Sequence, residues 1–222
     1  MIAGVRDLPM IPFAMKAVSK TRIGILGGTF NPVHAGHLVL ARDAMEYFNL
    51  SKVLFVPSAT PPHKLRGGVL PAGHRVAMIR AAIRGVKGFE LCPIEVDRRG
   101  VSYTVDTVRA LKRRYPRSDL YFIIGADTLK ELYSWKKIDE LLGLCEFVTM
   151  GRPGWGTRGS FQLQGKWMKK LRRNIFRGHA MDISSSDIRD RVSRGMGIVF
   201  FVPLPVEQYI RRHGLYKSQE EK

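Results

Sequence analysis

The stretch Ile25-Leu26-Gly27-Gly28-Thr29-Phe30-Asn31-Pro32-Val33-His34-Ala35-Gly36-His37-Leu38 decides how this chain is read. An apolar run from Ile23 to Leu26 stops at two glycines, turns at Asn31-Pro32, and presents His34 and His37 where a helical pattern begins. Strand, glycine turn and helix start in that order form an anion site. Amides at a helix N-terminus lack intrahelical partners, and the helix dipole there favours negative charge. Residues three apart share one face of a helical turn, so both imidazoles point the same way. Gly36 between them has no side chain to keep a ligand from the backbone.

Outward from this stretch, strands and helices alternate. Apolar residues Leu38, Ala41, Met45 and Phe48 give a helix over 37–48, and 52–56 (KVLFV) gives a second strand, ended by Pro57. A proline-held loop, 58–68, contains Pro61-Pro62-His63-Lys64. A helix over 74–84, short strands at 89–91 and 94–96, and a helix over 105–115 capped by Ser102 or Thr104 follow. The run 119–125 (DLYFIIG) reads as an inner parallel strand, with Asp127 just past its end. Short helices at 129–133 and 138–142 precede a strand at 146–150 and a glycine-rich connector at 151–159. The segment 166–177 (KWMKKLRRNIFR) carries an apolar stripe of Trp167, Met168, Leu171 and Ile175, explained most simply as a helix packed on the domain. A last strand is expected at 180–183, then helices over 184–194 and 206–212. This alternation predicts an α/β fold: a Rossmann-like, open, mostly parallel sheet with helices on both faces and a small helical C-terminal part.

At 222 residues the chain fits one such domain, expected over 21–216, with a basic insertion or connector at 151–178 and C-terminal helices at 184–216. Residues 1–20 read as an N-terminal extension open to disorder, with Met10 and Met15 as alternative starts, and 217–222 as a polar tail. The balance of 37 Lys+Arg against 19 Asp+Glu gives +18. Residues 152–194 hold 11 Lys+Arg and 3 Asp+Glu, a net +8. Such a field attracts polyanions without choosing among nucleotides, nucleic acid and anionic surfaces. No run approaches the roughly 20 apolar residues of a membrane span, and the N-terminus lacks a signal-peptide order. Cys92 and Cys145 lack C-x-x-C spacing and read as buried thiols of a cytoplasmic protein.

Two phosphate-loop families are excluded, because G-x-G-x-x-G and G-x-x-x-x-G-K-[ST] are both absent. What remains, Phe30-x-Pro32-x-His34-x-Gly36-His37, resembles the H-x-G-H signature of the nucleotidyltransferase superfamily, and within it the bacterial nicotinate-nucleotide adenylyltransferases. Ile183-Ser184-Ser185-Ser186-Asp187-Ile188-Arg189 resembles that family's I-S-S-T-x-x-R, with Ser186 in place of Thr. Alone, Ser-x-x-Asp is only a capping motif. Further likenesses fall in order: Pro61-Pro62-His63-Lys64, Ser102-Tyr103-Thr104, Ile123-Ile124-Gly125-Ala126-Asp127, Trp135, Arg152-Pro153-Gly154 and Gly214-Leu215-Tyr216.

The resemblance implies adenylyl transfer from ATP, with Mg²⁺, to nicotinate mononucleotide. It implies catalytic roles for His34, His37 and Arg189, and an ATP site of Gly28, Thr29, Phe30, His34, His37, Gly125, Asp127, Ser185 and Arg189. It implies a mononucleotide site of Lys64, Thr104, Trp135 and Lys136, and no protein cage for the metal. The alternatives are an enzyme using nicotinamide mononucleotide, another H-x-G-H adenylyltransferase, and a basic nucleic-acid-binding protein, the last disfavoured. Assembly into a homo-oligomer is left open.

Overall fold

A computed structural model describes residues 20–59, 68–129, 131–151, 165–179 and 181–218. Residues 1–19 of the N-terminal extension, Pro61 to Lys64, the connector from Arg152 onward, Ala180 and the last four residues of the tail lie outside them.

The first unit is β1 (Thr21–Gly28), α1 (Ala35–Tyr47) and β2 (Lys52–Pro57). There follow α2 (Ala72–Ile83), β3 (Phe89–Leu91), α3 (Ile94–Arg98), α4 (Thr104–Arg114) and β4 (Ser118–Gly125). Then come α5 (Ala126–Leu129), a 3-10 turn (Leu132–Ser134), α6 (Ile138–Leu144), β5 (Glu146–Gly151), α7 (Gly165–Arg173) and β6 (Ile175–Arg177). Helices α8 (Ser185–Ser193) and α9 (Leu204–Arg212) close the chain.

The strands form one six-stranded sheet in the order β3-β2-β1-β4-β5-β6, and every pairing is parallel. Alternate residues feed opposite faces, as the pleat requires. Leu26, Val53, Phe55 and Ile123 pack with Ala41, Met78, Ile79, Val206 and Ile210 of α1, α2 and α9. Ile23, Ile25, Leu54 and Phe122 pack with Val105, Leu111, Leu141 and Leu171 of α4, α6 and α7. Helices therefore cover both faces, and each fully buried Ile, Leu or Phe contributes about 1.5–3 kcal/mol. Strand order reverses between β1 and β4. In open α/β sheets, ligands bind in the crevice outside the strand ends at that switch point.

Several local expectations are corrected. Residues 94–96 are helix α3, not strand: Pro93 has no N–H for a ladder, and its carbonyl accepts the Asp97 N–H at 2.9 Å instead. Neither Ser102 nor Thr104 caps α4. Tyr103 is the N-cap, without a side-chain bond, because the Ser102 hydroxyl accepts the Ala59 N–H at 3.0 Å. The helix expected at 129–133 is split into α5 and the 3-10 turn.

The stripe over 166–177 does not stay on one helix. Helix α7 ends at Arg173, the Asn174 carbonyl accepts the Thr149 N–H at 3.0 Å, and Ile175 joins β6 beside β5. The strand expected at 180–183 is absent from residues 181–183, since β6 already occupies the edge position beside β5. The stripe's packing reading holds: Leu171 is buried and Trp167 lies against the same core. Both cysteines are buried free thiols, and burial pushes Cys145 up to about 12. Among the described residues, no helix is long and apolar enough to cross a membrane.

Candidate active site

The turn between β1 and α1 is built on Phe30. Its backbone takes φ +50°, and its ring is buried, with its centroid 4.9 Å from that of His37. The Asn31–Pro32 peptide is cis. His34 is the N-cap of α1, and the His34 and His37 ring centroids lie 3.6 Å apart. The His34 N–H donates to His37 Nδ1 at 3.2 Å, which leaves Nε2–H as the donor of the neutral His37 ring.

Burial lowers the His34 pKa to about 4, and burial beside His34 holds His37 well below the usual histidine range. Both rings are thus neutral donors at pH 7. His34 Nδ1 is buried and has no hydrogen-bond partner among the described residues. The helix start is less open than its sequence suggests, for the Ala35 N–H already donates to the Phe201 carbonyl at 2.8 Å.

The second helix start is pinned to this turn. The Ser184 hydroxyl caps α8 by accepting the Asp187 N–H at 3.0 Å. The Ser185 hydroxyl donates to the Pro32 carbonyl at 2.8 Å, and Arg189 Nη1 donates to the Asn31 carbonyl at 2.9 Å. A Cβ on Gly36 would stand 3.2 Å from His34 Nδ1 and in ordinary contact, at 3.8 Å, with the Ile183 carbonyl, so the glycine leaves room for the His34 ring. His34, His37, Ser185 and Arg189 are therefore together, beside the Gly28-Thr29-Phe30 turn.

Gly125 ends β4, with nothing among the described residues within 4 Å of where its Cβ would be. Asp127 follows on the backbone of α5. Trp135 is half-buried, edge-on to Phe122 with centroids 5.8 Å apart. Lys136 Nζ sits 3.7 Å from the Tyr103 ring centroid, which draws the segments of Thr104 and Lys136 together. Lys64 lies outside the described residues.

Two residues of this region had no role assigned from sequence. Asn31 is buried, donates to the Gly68 carbonyl at 2.9 Å, and accepts from the Leu70 N–H and the Tyr216 hydroxyl. Arg75 is buried, and its hydrogen-bond partners among the described residues are backbone carbonyls. Its signal was present: it holds a place in the apolar stripe of α2 with Met78, Ile79 and Ala82.

Two neutral imidazoles and two helix starts at the switch point of a parallel 3-2-1-4-5-6 sheet make a site of the kind that holds nucleotide phosphates. Residues 25–191 match the cytidylyltransferase-like family. Two similar proteins are the probable nicotinate-nucleotide adenylyltransferases of Halalkalibacterium halodurans, 43% identical over 90% of this chain and 94% of that protein, and of Thermoanaerobacter sp., 43% identical over 90% and 96%. The chain belongs to the nicotinate-nucleotide adenylyltransferase family of nucleotidyltransferases. A Plasmodium falciparum nicotinic acid mononucleotide adenylyltransferase complexed with NaAD shares the fold, with a TM-score of 0.68 at 20% identity over 88% of this chain and 97% of that one.

Proposed function

We propose that this protein transfers the adenylyl group of ATP to nicotinate mononucleotide, giving nicotinate adenine dinucleotide and pyrophosphate. The observation that carries the reading is the pinning of the α8 start, through Ser185 and Arg189, onto the turn that bears His34 and His37. The 5′-phosphate of the mononucleotide is ionised at neutral pH and attacks the α-phosphorus of ATP. A bond forms from that phosphate oxygen to the α-phosphorus. The bond from the α-phosphorus to the bridging oxygen breaks, and the electron pair leaves with pyrophosphate.

No protein nucleophile and no general base are required, so positioning and charge stabilisation carry the rate. Neutral imidazole N–H groups and the free N–H groups of Arg189 meet charge on the triphosphate. The Ser185 hydroxyl proton is already given to Pro32, so its role is to hold the turn. Trp135 packs one edge on Phe122 and keeps part of its ring accessible to stack on the pyridine. Asp127 and Gly125 border the adenosine, and backbone amides at Thr104 and Lys136 receive the carboxylate.

Mg²⁺ enters with ATP, as part of the substrate. An ion held chiefly by phosphates and water needs no cage of protein carboxylates. The test is pyrophosphate release from ATP with nicotinate mononucleotide, nicotinamide mononucleotide or neither, with and without Mg²⁺. Release that depends on Mg²⁺ and is fastest with the acid is expected. Release unaffected by either mononucleotide would refute the reading.

A further inference from the structure

Arg75 is 1% exposed, and among the described residues its guanidinium hydrogen-bonds to backbone alone. Nε donates to the Leu70 carbonyl at 3.0 Å, Nη1 to the Thr29 carbonyl at 2.9 Å, and Nη2 to the Ala59 carbonyl at 3.0 Å. Burying a cation without a carboxylate is costly, and an apolar residue in the same stripe would fill the space more cheaply. The three carbonyls come from distant parts of the chain. Thr29 lies in the phosphate turn, Ala59 follows β2, and Leu70 precedes α2. The planar fork of arginine fits such a task, since its donors diverge in fixed directions.

The Thr29 bond has a direct geometric consequence. In a planar trans peptide the carbonyl and the next N–H point oppositely. Holding the Thr29 carbonyl toward Arg75 therefore turns the Phe30 N–H away from it. Phe30 is the residue at φ +50° whose ring packs against His37. Asn31 supports the same junction by binding the Gly68 carbonyl and the Leu70 N–H.

Resting on the adenylyl-transfer reading, we infer that Arg75 is a positioning residue for this reaction: it fixes the Thr29–Phe30 peptide, and through it His37, by tying the phosphate turn to the chain at Ala59 and Leu70. Arg75 itself touches no reacting atom.

The experiment measures kcat, KM for each substrate and thermal stability for wild type, Arg75→Lys and Arg75→Met. Lysine keeps the charge, but its donors radiate from one nitrogen and cannot reproduce the fork. A misplacement of about 1 Å costs about 10²-fold in rate. Arg75→Met is expected to lower kcat about 10- to 100-fold per folded molecule, with KM for ATP changed less than about threefold. Arg75→Lys is expected to recover part of kcat. Wild-type kcat in either folded variant, with only the melting temperature lowered, would overturn the inference. Failure of both variants to fold would make Arg75 a core requirement and overturn it equally. Wild-type protein inactive on ATP and nicotinate mononucleotide would refute the functional reading instead, which keeps the two failures distinct.

Discussion

At the scale of single residues, His34 and His37 have separable consequences. Removing one preorganised donor costs about 10²–10³ in rate, so His37→Ala is expected to lower kcat by about that factor while circular dichroism shows the fold retained. Near-wild-type turnover at saturating substrate would remove His37 from the machinery.

Both buried imidazoles also tie stability to pH, and His34 sets a definite window. Its folded pKa of about 4 lies below the ordinary 6.5, so between these values the unfolded chain binds the extra proton. Stability is unaffected by this group above pH 6.5 and falls as pH drops toward 4, by about 3 kcal/mol if the shift is fully expressed. Denaturant midpoints measured from pH 7 to pH 4 should decline, and a His34→Asn variant should decline less. Trp135 tests the substrate assignment. Trp135→Ala should raise KM for the mononucleotide several-fold more than KM for ATP, whereas equal changes would make it only a core residue.

At the scale of elements, the site depends on two helices meeting end to end. Gly36, between the two imidazoles, leaves room for the His34 ring, and its replacement separates stability from function. Alanine in a helix is favoured over glycine by up to about 1 kcal/mol. The added Cβ would nevertheless press on His34 Nδ1 at 3.2 Å and Cε1 at 3.3 Å. Gly36→Ala should therefore retain the wild-type melting temperature and lose activity through the displaced imidazole. A proportional loss of both would mean that the glycine serves folding alone.

The element boundaries that misled a sequence reading share one cause. Ile94 to Val96 and Ile175 have strand-like or helix-like side chains, but the backbone bonding of their neighbours decides their state. Pro93 supplies no donor to a ladder, and Asn174 gives its carbonyl to β5.

At the scale of the whole molecule, the +18 charge acts through its field rather than through pairs. Both substrates are polyanions, so steering should raise their encounter rate at low salt. Raising salt from about 0.05 to about 0.5 M shortens the screening length to a few ångströms. kcat/KM is expected to fall several-fold over that range, with kcat changing less. A flat kcat/KM would remove substrate attraction as a consequence of the charge.

By itself the sequence determined the class of fold and the anion-binding turns, and the chemistry followed from the likeness of those motifs to a family's. Alternating apolar runs and helical stripes specify a parallel α/β sheet, because strand and helix periods are local properties. Gly27-Gly28, the His pair and Ser184 to Arg189 are likewise local, being signals of turns and helix starts. Only the tertiary structure decided that the two helix starts share one turn, through bonds from Ser185 and Arg189 to Pro32 and Asn31. It alone decided that Arg75 binds Thr29, Ala59 and Leu70, and that Tyr216 reaches Asn31 across 185 positions. The physical reason is common to all of these. Their acceptors are mostly backbone carbonyls, which every residue carries, so no side-chain pattern marks which of them a distant donor will find.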